Sequence, residues 1–274
     1  MQNDWNDWKY FVYRNAWRFA RPPHEEQKLS EEACKNLLSI GGWLVRNTYD
    51  FDCEQETSFW YVIKDRFDDL DALSGNTRRK VKRSLEHLEF KQIGIDLLRT
   101  QGYGILKATF DDHAVSDRFL TANNYQEYLD SCEKETYDYW GIFDKESGQL
   151  VGFCTVWLWP DACEIGKIAV LPTYKRQSPA YPYYGLFYSL CQHYLQAKHN
   201  RYITDGSRSI TEHSHIHDFL IEHFHFRRAY CKLDVHYKWW MKIAVKLLYP
   251  LRKTIPLPRI KAILNMEAMQ RGEK

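Results

Sequence analysis

The order of secondary structure predicted between residues 137 and 237 constrains this chain more than any other feature. Alternating, β-branched and aromatic residues predict three strands, at 139–143, 150–159 and 164–171, with a hairpin turn at 144–148. Apolar residues at three- and four-residue spacing then predict a helix at 185–195. The series ends with a strand at 202–205, a helix at 215–224 and a final strand pair in 226–237. This order of elements predicts an α+β (α/β-like) domain.

The residues before this series predict further elements. Ser30, followed by Glu31 and Glu32, predicts a helix start, and Gly41-Gly42 predicts its end. Segments 43–49 and 59–64 predict two strands joined as a β-hairpin by the acidic turn 50–56. Asn76 or Thr77 is the predicted cap of a helix through Leu88. A strand at 90–93 and helices at 105–110 and 115–132 follow.

The predicted helix that ends at Leu88 contains five positively charged residues in one six-residue segment. They are Arg78, Arg79, Lys80, Lys82 and Arg83. One interpretation is a solvated helix face. The other is a patch that binds phosphate or nucleic acid.

The strand end Val170-Leu171-Pro172 and the following loop, 175–185, resemble the GNAT acyl-CoA N-acyltransferase superfamily. The resemblance covers about residues 89–237 and implies the GNAT acyltransferase fold, a mixed central β-sheet with helices on both faces. In that family, loop amides and a helix N-terminus bind the cofactor pyrophosphate.

The resemblance implies acetyl-CoA or another acyl-CoA as donor. The cofactor-binding residues that it implies are Val170, Leu171, Lys175, Arg176, Gln177, Ser178 and Ala180. Two residues depart from the family pattern, since Pro179 and Pro182 have no N–H to donate.

Three residues are predicted to be catalytic: Glu164, Asp205 and Ser207. Glu164 matches the family's third-strand base, and the other interpretation is a surface ion pair. Asp205 and Ser207 either contact the acceptor or form a turn at Asp205-Gly206. Ile221 stands where the family has its acid Tyr, so that acid is missing.

Residues 60–90, with Arg79 and Arg83, also resemble Fem-type aminoacyltransferases. Those proteins attach amino acids from charged tRNA to peptidoglycan precursors. This resemblance implies tRNA as an alternative donor and partner.

The basic C-terminal segment differs in charge from the rest of the chain. Residues 238–274 contain nine Lys or Arg and two Asp or Glu, although the whole chain carries only +2. Segment 239–264 predicts either a helix packed on the domain or a helix in peripheral contact with an anionic membrane. The sequence contains no run of about 20 uncharged apolar residues, so it predicts no transmembrane helix.

The cysteine and histidine patterns bear on compartment and metal binding. The 7 Cys show no paired spacing, and the five His of 213–225 have no Cys or Asp at ligand spacing. We therefore expect no metal site and a cytoplasmic protein, with a place at the inner membrane face as the alternative.

Together these features predict three regions. They are an N-terminal extension (1–88) with the β-hairpin and basic helix, a GNAT-like domain (89–238) and an amphipathic C-terminal tail (239–274). The predicted function is N-acyl transfer to an amine of an amino-sugar or cell-envelope intermediate, the acceptor being a small molecule or lipid-linked. The alternatives are a Fem-like, aminoacyl-tRNA-dependent transferase and a non-catalytic binding module on a degenerate GNAT scaffold.

Overall fold

The computed structural model describes residues 10–112, 121–134, 136–176, 180–210 and 215–273. Its strands are β1 (Tyr10–Tyr13), β2 (Ala16–Phe19), β3 (Leu44–Tyr49), β4 (Phe59–Lys64), β5 (Leu88–Ile93), β6 (Tyr137–Asp144), β7 (Leu150–Leu158), β8 (Ala162–Val170), β9 (Tyr202–Ser207) and β10 (Arg227–Tyr237). Its α-helices are α1 (Glu31–Ile40), α2 (Gly75–His87), α3 (Ile95–Leu97), α4 (Tyr103–Asp112), α5 (Ala122–Glu133), α6 (Pro172–Arg176), α7 (Pro182–Cys191), α8 (His215–Phe224), α9 (Trp239–Leu248) and α10 (Pro258–Gln270). Most predicted elements are confirmed, within a few residues at each end.

Side-chain caps mark the starts of α1 and α2. The Ser30 hydroxyl accepts the Ala33 amide at 3.1 Å, which confirms the predicted start of α1. At α2 the cap is Ser74, which accepts the Thr77 amide at 3.3 Å, so the predicted cap at Asn76 or Thr77 was wrong. Part of the predicted helix 115–132 lies outside the described residues, and α5 covers the rest.

Contacts between residues divide the protein into two compact units. Unit 1 comprises 1–62, 207–218 and 227–274, and unit 2 comprises 63–206 and 219–226. The division of the chain at 88 and 238 stays a prediction.

In unit 1, the strand order is β1-β2-β3-β10-β4. The predicted hairpin of β3 and β4 is therefore wrong, because β10 lies between them and pairs antiparallel with β3. The N-terminal hairpin is β1–β2, with Arg14 and Asn15 in the left-handed conformation at its turn. The predicted final strand pair is one continuous strand, β10.

In unit 2, the strand order is β9-β8-β7-β6-β5, antiparallel except for the parallel pair β8–β9. One face packs on α4 and α5, where Phe153 and Ala169 join the core cluster of Leu106 and Leu129. The other face carries Trp140, whose indole N–H donates to the Tyr194 hydroxyl at 2.9 Å in the π-helical segment after α7. Helices thus cover both faces of a mixed sheet, as predicted.

Candidate active site

Two neighbouring parallel strands of unit 2, β8 and β9, separate partway along their length. The pairing of β8 with β9 joins Ala162 to Tyr202, Cys163 to Ile203 and Glu164 to Thr204. It ends there, although β8 continues six residues to Val170. From Ile165 to Val170 this edge of β8 therefore has no registered partner on β9. We call this edge the strand slot.

A β-bulge in β8 lies where the pairing ends. Thr155 of β7 stands opposite both Gly166 and Lys167, and its hydroxyl accepts the Lys167 amide at 2.9 Å. A Cβ at Gly166 would lie 2.6 Å from that hydroxyl oxygen, so the close approach requires glycine. The bulge bends β8 locally and increases its twist.

Glu164 lies at the closed end of the strand slot. It is half-buried, and its registered neighbours are Trp157 on β7 and Thr204 on β9. Its Oε1 lies 3.6 Å from the position of a Cβ at Gly206, so Gly206 shares its face of the sheet. A carboxylate here can accept a proton from a group bound at the slot.

Partly buried aromatic rings line the same face beside Glu164. The Tyr137 and Trp157 rings are stacked with centroids 6.2 Å apart and planes at 3°, and Trp159 lies 5.2 Å from Trp157. Farther along this face, the Tyr128 hydroxyl lies 2.8 Å from the Thr155 hydroxyl. We call Tyr137, Trp157 and Trp159 the aromatic strip.

The structure does not place the three predicted catalytic residues together. Asp205 follows Thr204 along β9, so it points to the opposite face from Glu164. Burial, and after it the charge of Asp205, raises the pKa of the Cys154 thiol, which stands opposite Trp140 on the α7 face. Ser207 belongs to unit 1, where its hydroxyl lies 3.5 Å from Arg46 Nη1.

Main-chain amides at the end of β8 already have acceptors within the protein. Leu171 donates its amide to the Val151 carbonyl on β7 at 2.9 Å, so the Val170 amide points the other way, into the strand slot. There it donates to the Thr109 hydroxyl of α4 at 3.2 Å. The Thr109 oxygen also lies 3.0 Å from the Val170 carbonyl oxygen, and Thr109 is buried.

Main-chain amides alternate in direction along a strand, so the Ile168 amide also points into the strand slot. Ile168 and Val170 occupy equivalent positions, opposite Cys154 and Gly152 of β7. Ile168 is therefore the residue of this edge that can donate to a bound carbonyl while Thr109 holds Val170.

The start of α7 offers few donors to an anion. Pro182 at its first position has no N–H, and the Tyr184 amide donates to the Tyr181 carbonyl at 2.9 Å. Tyr181 precedes the helix in the left-handed conformation, with φ of 47°, and its side chain provides no cap. A pyrophosphate bound at this helix end would find fewer amides than a helix N-terminus normally presents.

The predicted cofactor-binding residues are only partly described. Lys175 is half-buried in α6, its amide donating to the Leu171 carbonyl, and Ala180 is buried. Gln177, Ser178 and Pro179, and the Arg176 side chain, lie outside the described residues.

The basic helix α2 packs beside the start of α7. Lys80 Nζ donates to the Tyr184 hydroxyl at 3.0 Å and lies 5.6 Å from the Tyr181 ring centroid. Arg78 forms an ion pair with Asp71 at 3.1 Å. Arg79, Lys82 and Arg83 are exposed, and none of them forms an ion pair with a residue in the described part of the chain. These three side chains form the solvent-facing basic face of α2.

Comparisons with known proteins agree with this geometry. Residues 103–179 match the model of the Acetyltransferase (GNAT) family. The chain has the GNAT fold.

Two solved structures share the fold across most of the chain. The C-terminal domain (DUF2156) of a protein assigned as a lysylphosphatidylglycerol synthetase, from Agrobacterium fabrum, is 13% identical with a TM-score of 0.52, covering 86% of this chain and 83% of that one. FemX is 12% identical, also with a TM-score of 0.52, covering 78% of this chain and 77% of its own. No curated protein matches the chain in sequence.

Two further features concern membranes and metals. Among the described residues no helix has the length and apolar composition needed to cross a bilayer. The described part of the chain also contains no group of three or more His, Cys, Asp or Glu positioned around a common metal position.

Sequence reasoning missed Thr109, Ile168 and the aromatic strip. The clearest local signal was Thr109, a hydroxyl at an apolar-face position of a helix, where a buried hydroxyl requires a partner. The significance of Ile168 depends on the strand register, which local sequence does not specify.

Proposed function

We propose that the protein is an acyltransferase that joins a carrier-bound acyl group to an amine in the strand slot. The observation that carries the proposal is the separation of β8 from β9 immediately beyond Glu164. An open strand edge can hold the main-chain-like part of a donor, while a carboxylate at its closed end accepts a proton.

In the proposed step the acceptor nitrogen attacks the acyl carbonyl carbon. A C–N bond forms, the carbon–oxygen or carbon–sulfur bond to the carrier breaks, and the carrier leaves with the bonding electron pair. Glu164 takes the proton from nitrogen, directly or through water, and the leaving group gains a proton from solvent. The Ile168 amide stabilises the negative charge that develops on the carbonyl oxygen.

The acceptor is proposed to be an amine of an amino-sugar or cell-envelope intermediate, free or lipid-linked. Support comes from the aromatic strip, because Trp157 is the registered neighbour of Glu164. Tyr and Trp rings with an apolar face and a polar edge suit a ligand that is apolar on one side and hydroxylated at its rim.

For the donor, aminoacyl-tRNA is proposed over acetyl-CoA. The start of α7 offers few amides and Thr109 holds the Val170 amide, so an acyl-CoA would meet groups that are already paired. The exposed side chains of Arg79, Lys82 and Arg83 provide positive charge for an RNA backbone.

Direct binding measurements separate the donors. We expect filter binding to retain aminoacyl-tRNA at low salt and acetyl-CoA to leave the thermal unfolding midpoint unchanged. A midpoint that rises with acetyl-CoA concentration would instead favour the acyl-CoA donor, because a ligand specific for the native state stabilises it. Binding of neither donor would overturn the proposal in favour of a non-catalytic binding module.

A further inference from the structure

Helix α9 exposes the apolar face that a helix of a globular domain normally buries. Trp239, Ile243 and Leu247 follow one another at four-residue spacing and are 76%, 53% and 69% exposed. Their opposite neighbours Met241 and Val245 are buried, so the helix already has a packed face. Its exposed apolar side is thus a second face, available for contact outside the chain.

Other aromatic residues of unit 1 extend this face. The Trp240 and Trp43 rings meet edge to face at 5.7 Å, and the Lys238 amide donates to the Trp43 carbonyl at 2.9 Å. The Trp43 amide in turn donates to the Asn15 carbonyl at 2.6 Å, at the turn of the β1–β2 hairpin. Tyr13, on the same turn, is 47% exposed. We call Trp43, Trp239, Trp240, Ile243 and Leu247 the α9 surface.

The segment that contains α9 carries only positive charges. From Lys238 to Met266 the sequence contains seven Lys or Arg and no Asp or Glu. Lys242 and Lys246 are exposed on α9 itself, and Arg14 lies 5.3 Å from the Tyr13 ring centroid at the hairpin turn. An anionic partner would therefore meet positive charge beside the apolar face.

We propose that the α9 surface binds an anionic phospholipid bilayer, with α9 lying in the plane of the headgroups. Trp and Tyr prefer this interfacial depth, aliphatic side chains enter the acyl region, and lysines bind the phosphates. A protein partner fits less well, because lysine is depleted in protein interfaces whereas it flanks this surface. The proposal does not depend on the proposed transfer reaction, and its test needs no substrate.

Vesicle flotation tests the proposal with the full chain. We expect binding to vesicles of phosphatidylcholine and phosphatidylglycerol, weakening as salt is raised, and little binding to phosphatidylcholine alone. Because each lysine near an anionic surface contributes about 1 kcal/mol, Lys242→Gln with Lys246→Gln is expected to weaken binding by about thirtyfold. Ile243→Ser with Leu247→Ser is expected to abolish it.

Arg79→Gln with Arg83→Gln is the matched control, since it removes the same charge from exposed positions of α2 and is expected to leave flotation unchanged. Circular dichroism checks that each exposed-site variant stays folded. The proposal is overturned if the chain does not float with anionic vesicles, or if the control weakens binding as much as the α9 variants. A dimer in light scattering that Ile243→Ser with Leu247→Ser dissociates would also overturn it, in favour of a second copy as the partner.

Discussion

At the level of single residues, Glu164 is the group that the proposed proton transfer requires. Its position is set by registered pairing with Trp157 and Thr204 on the two flanking strands, so the backbone fixes the carboxylate at the closed end of the strand slot. Asp205 points to the other face of the sheet.

Replacement of Glu164 by Gln is expected to lower kcat by about 10²- to 10⁴-fold, because the amide cannot accept the acceptor's proton. The KM for donor is expected to change little. Steady-state kinetics measure both values. Asp205→Asn is the matched control, and an equal loss of kcat in that variant would contradict the assignment of Glu164.

The buried hydroxyl of Thr109 accepts the Val170 amide at the strand slot, and it donates its one proton to the Ile105 or the Val170 carbonyl. Thr109→Val is expected to lower the free energy of unfolding by about 1–3 kcal/mol, since it leaves buried polar groups unpaired. Urea denaturation measures the loss. Thr100→Val is the control, because Thr100 is exposed and its hydroxyl bonds only to carbonyls of its own turn.

A second consequence of Thr109→Val concerns the donor. The variant releases the Val170 amide into the strand slot. If the occupied amide is what excludes acyl-CoA, thermal unfolding of the variant will show a midpoint shift with acetyl-CoA. No shift would leave the start of α7 as the excluding feature.

Asp68 makes stability depend on pH in the acid range. Burial alone would raise its pKa, but hydrogen bonds from Lys64 at 2.6 Å and His225 at 2.9 Å outweigh burial and lower the pKa from 3.8. A carboxyl with a lowered folded-state pKa stabilises the protein above the unfolded-state pKa, and that contribution disappears as pH falls through the folded-state pKa.

We therefore expect Asp68→Asn to cost on the order of 3 kcal/mol at pH 7, where it leaves Lys64 buried without its partner. The difference from the wild type should shrink as pH falls below 3.8. Urea denaturation across pH measures it. Asp71→Asn, in an exposed pair with Arg78, should show a small difference that varies little with pH.

At the level of elements, the contact between α2 and α7 depends on one glycine. A Cβ at Gly185 would lie 2.3 Å from Ser84 Oγ on α2 and 2.4 Å from the Phe90 ring on β5. Local helix propensity favours Ala over Gly, so only the neighbouring elements explain why Gly is needed here.

Gly185→Ala is therefore expected to lower the free energy of unfolding by about 1–3 kcal/mol through overpacking. Gly104→Ala is the control within α4, since no atom lies within 4 Å of its added Cβ. That control should raise stability by up to about 1 kcal/mol. Equal effects of the two substitutions, measured by urea denaturation, would show that the close approach at Gly185 does not limit packing.

At the level of the whole molecule, two basic surfaces are assigned to different partners. The basic face of α2 is proposed to bind RNA, and the C-terminal segment to bind lipid. Net charge alone does not separate them, because the whole chain carries only +2.

Salt dependence of tRNA binding distinguishes the two surfaces. Replacing Arg79, Lys82 and Arg83 by Gln should reduce the slope of log K against log salt concentration by about 0.7–0.9 per charge that contacts phosphate. Replacing Lys242, Lys246 and Lys253 by Gln should leave the slope unchanged. A larger reduction from the second set would place RNA on the C-terminal segment instead.

Sequence alone determined most elements of this protein and the fold class. Strand alternation, the apolar spacing of α7 and the Ser30 cap of α1 are local signals, since each depends on residues within one or two turns of chain. The family resemblance of residues 170–185 predicted the fold. It also predicted Glu164 as the catalytic base.

Tertiary structure alone decided which strands are neighbours and which groups are paired. β10 enters between β3 and β4, β8 separates from β9 beyond Glu164, and Thr109 holds Val170 from 61 residues away. Such contacts join residues far apart in the chain, and many partners satisfy the same local pattern. The choice among them is made by the packing and hydrogen bonding of the whole fold.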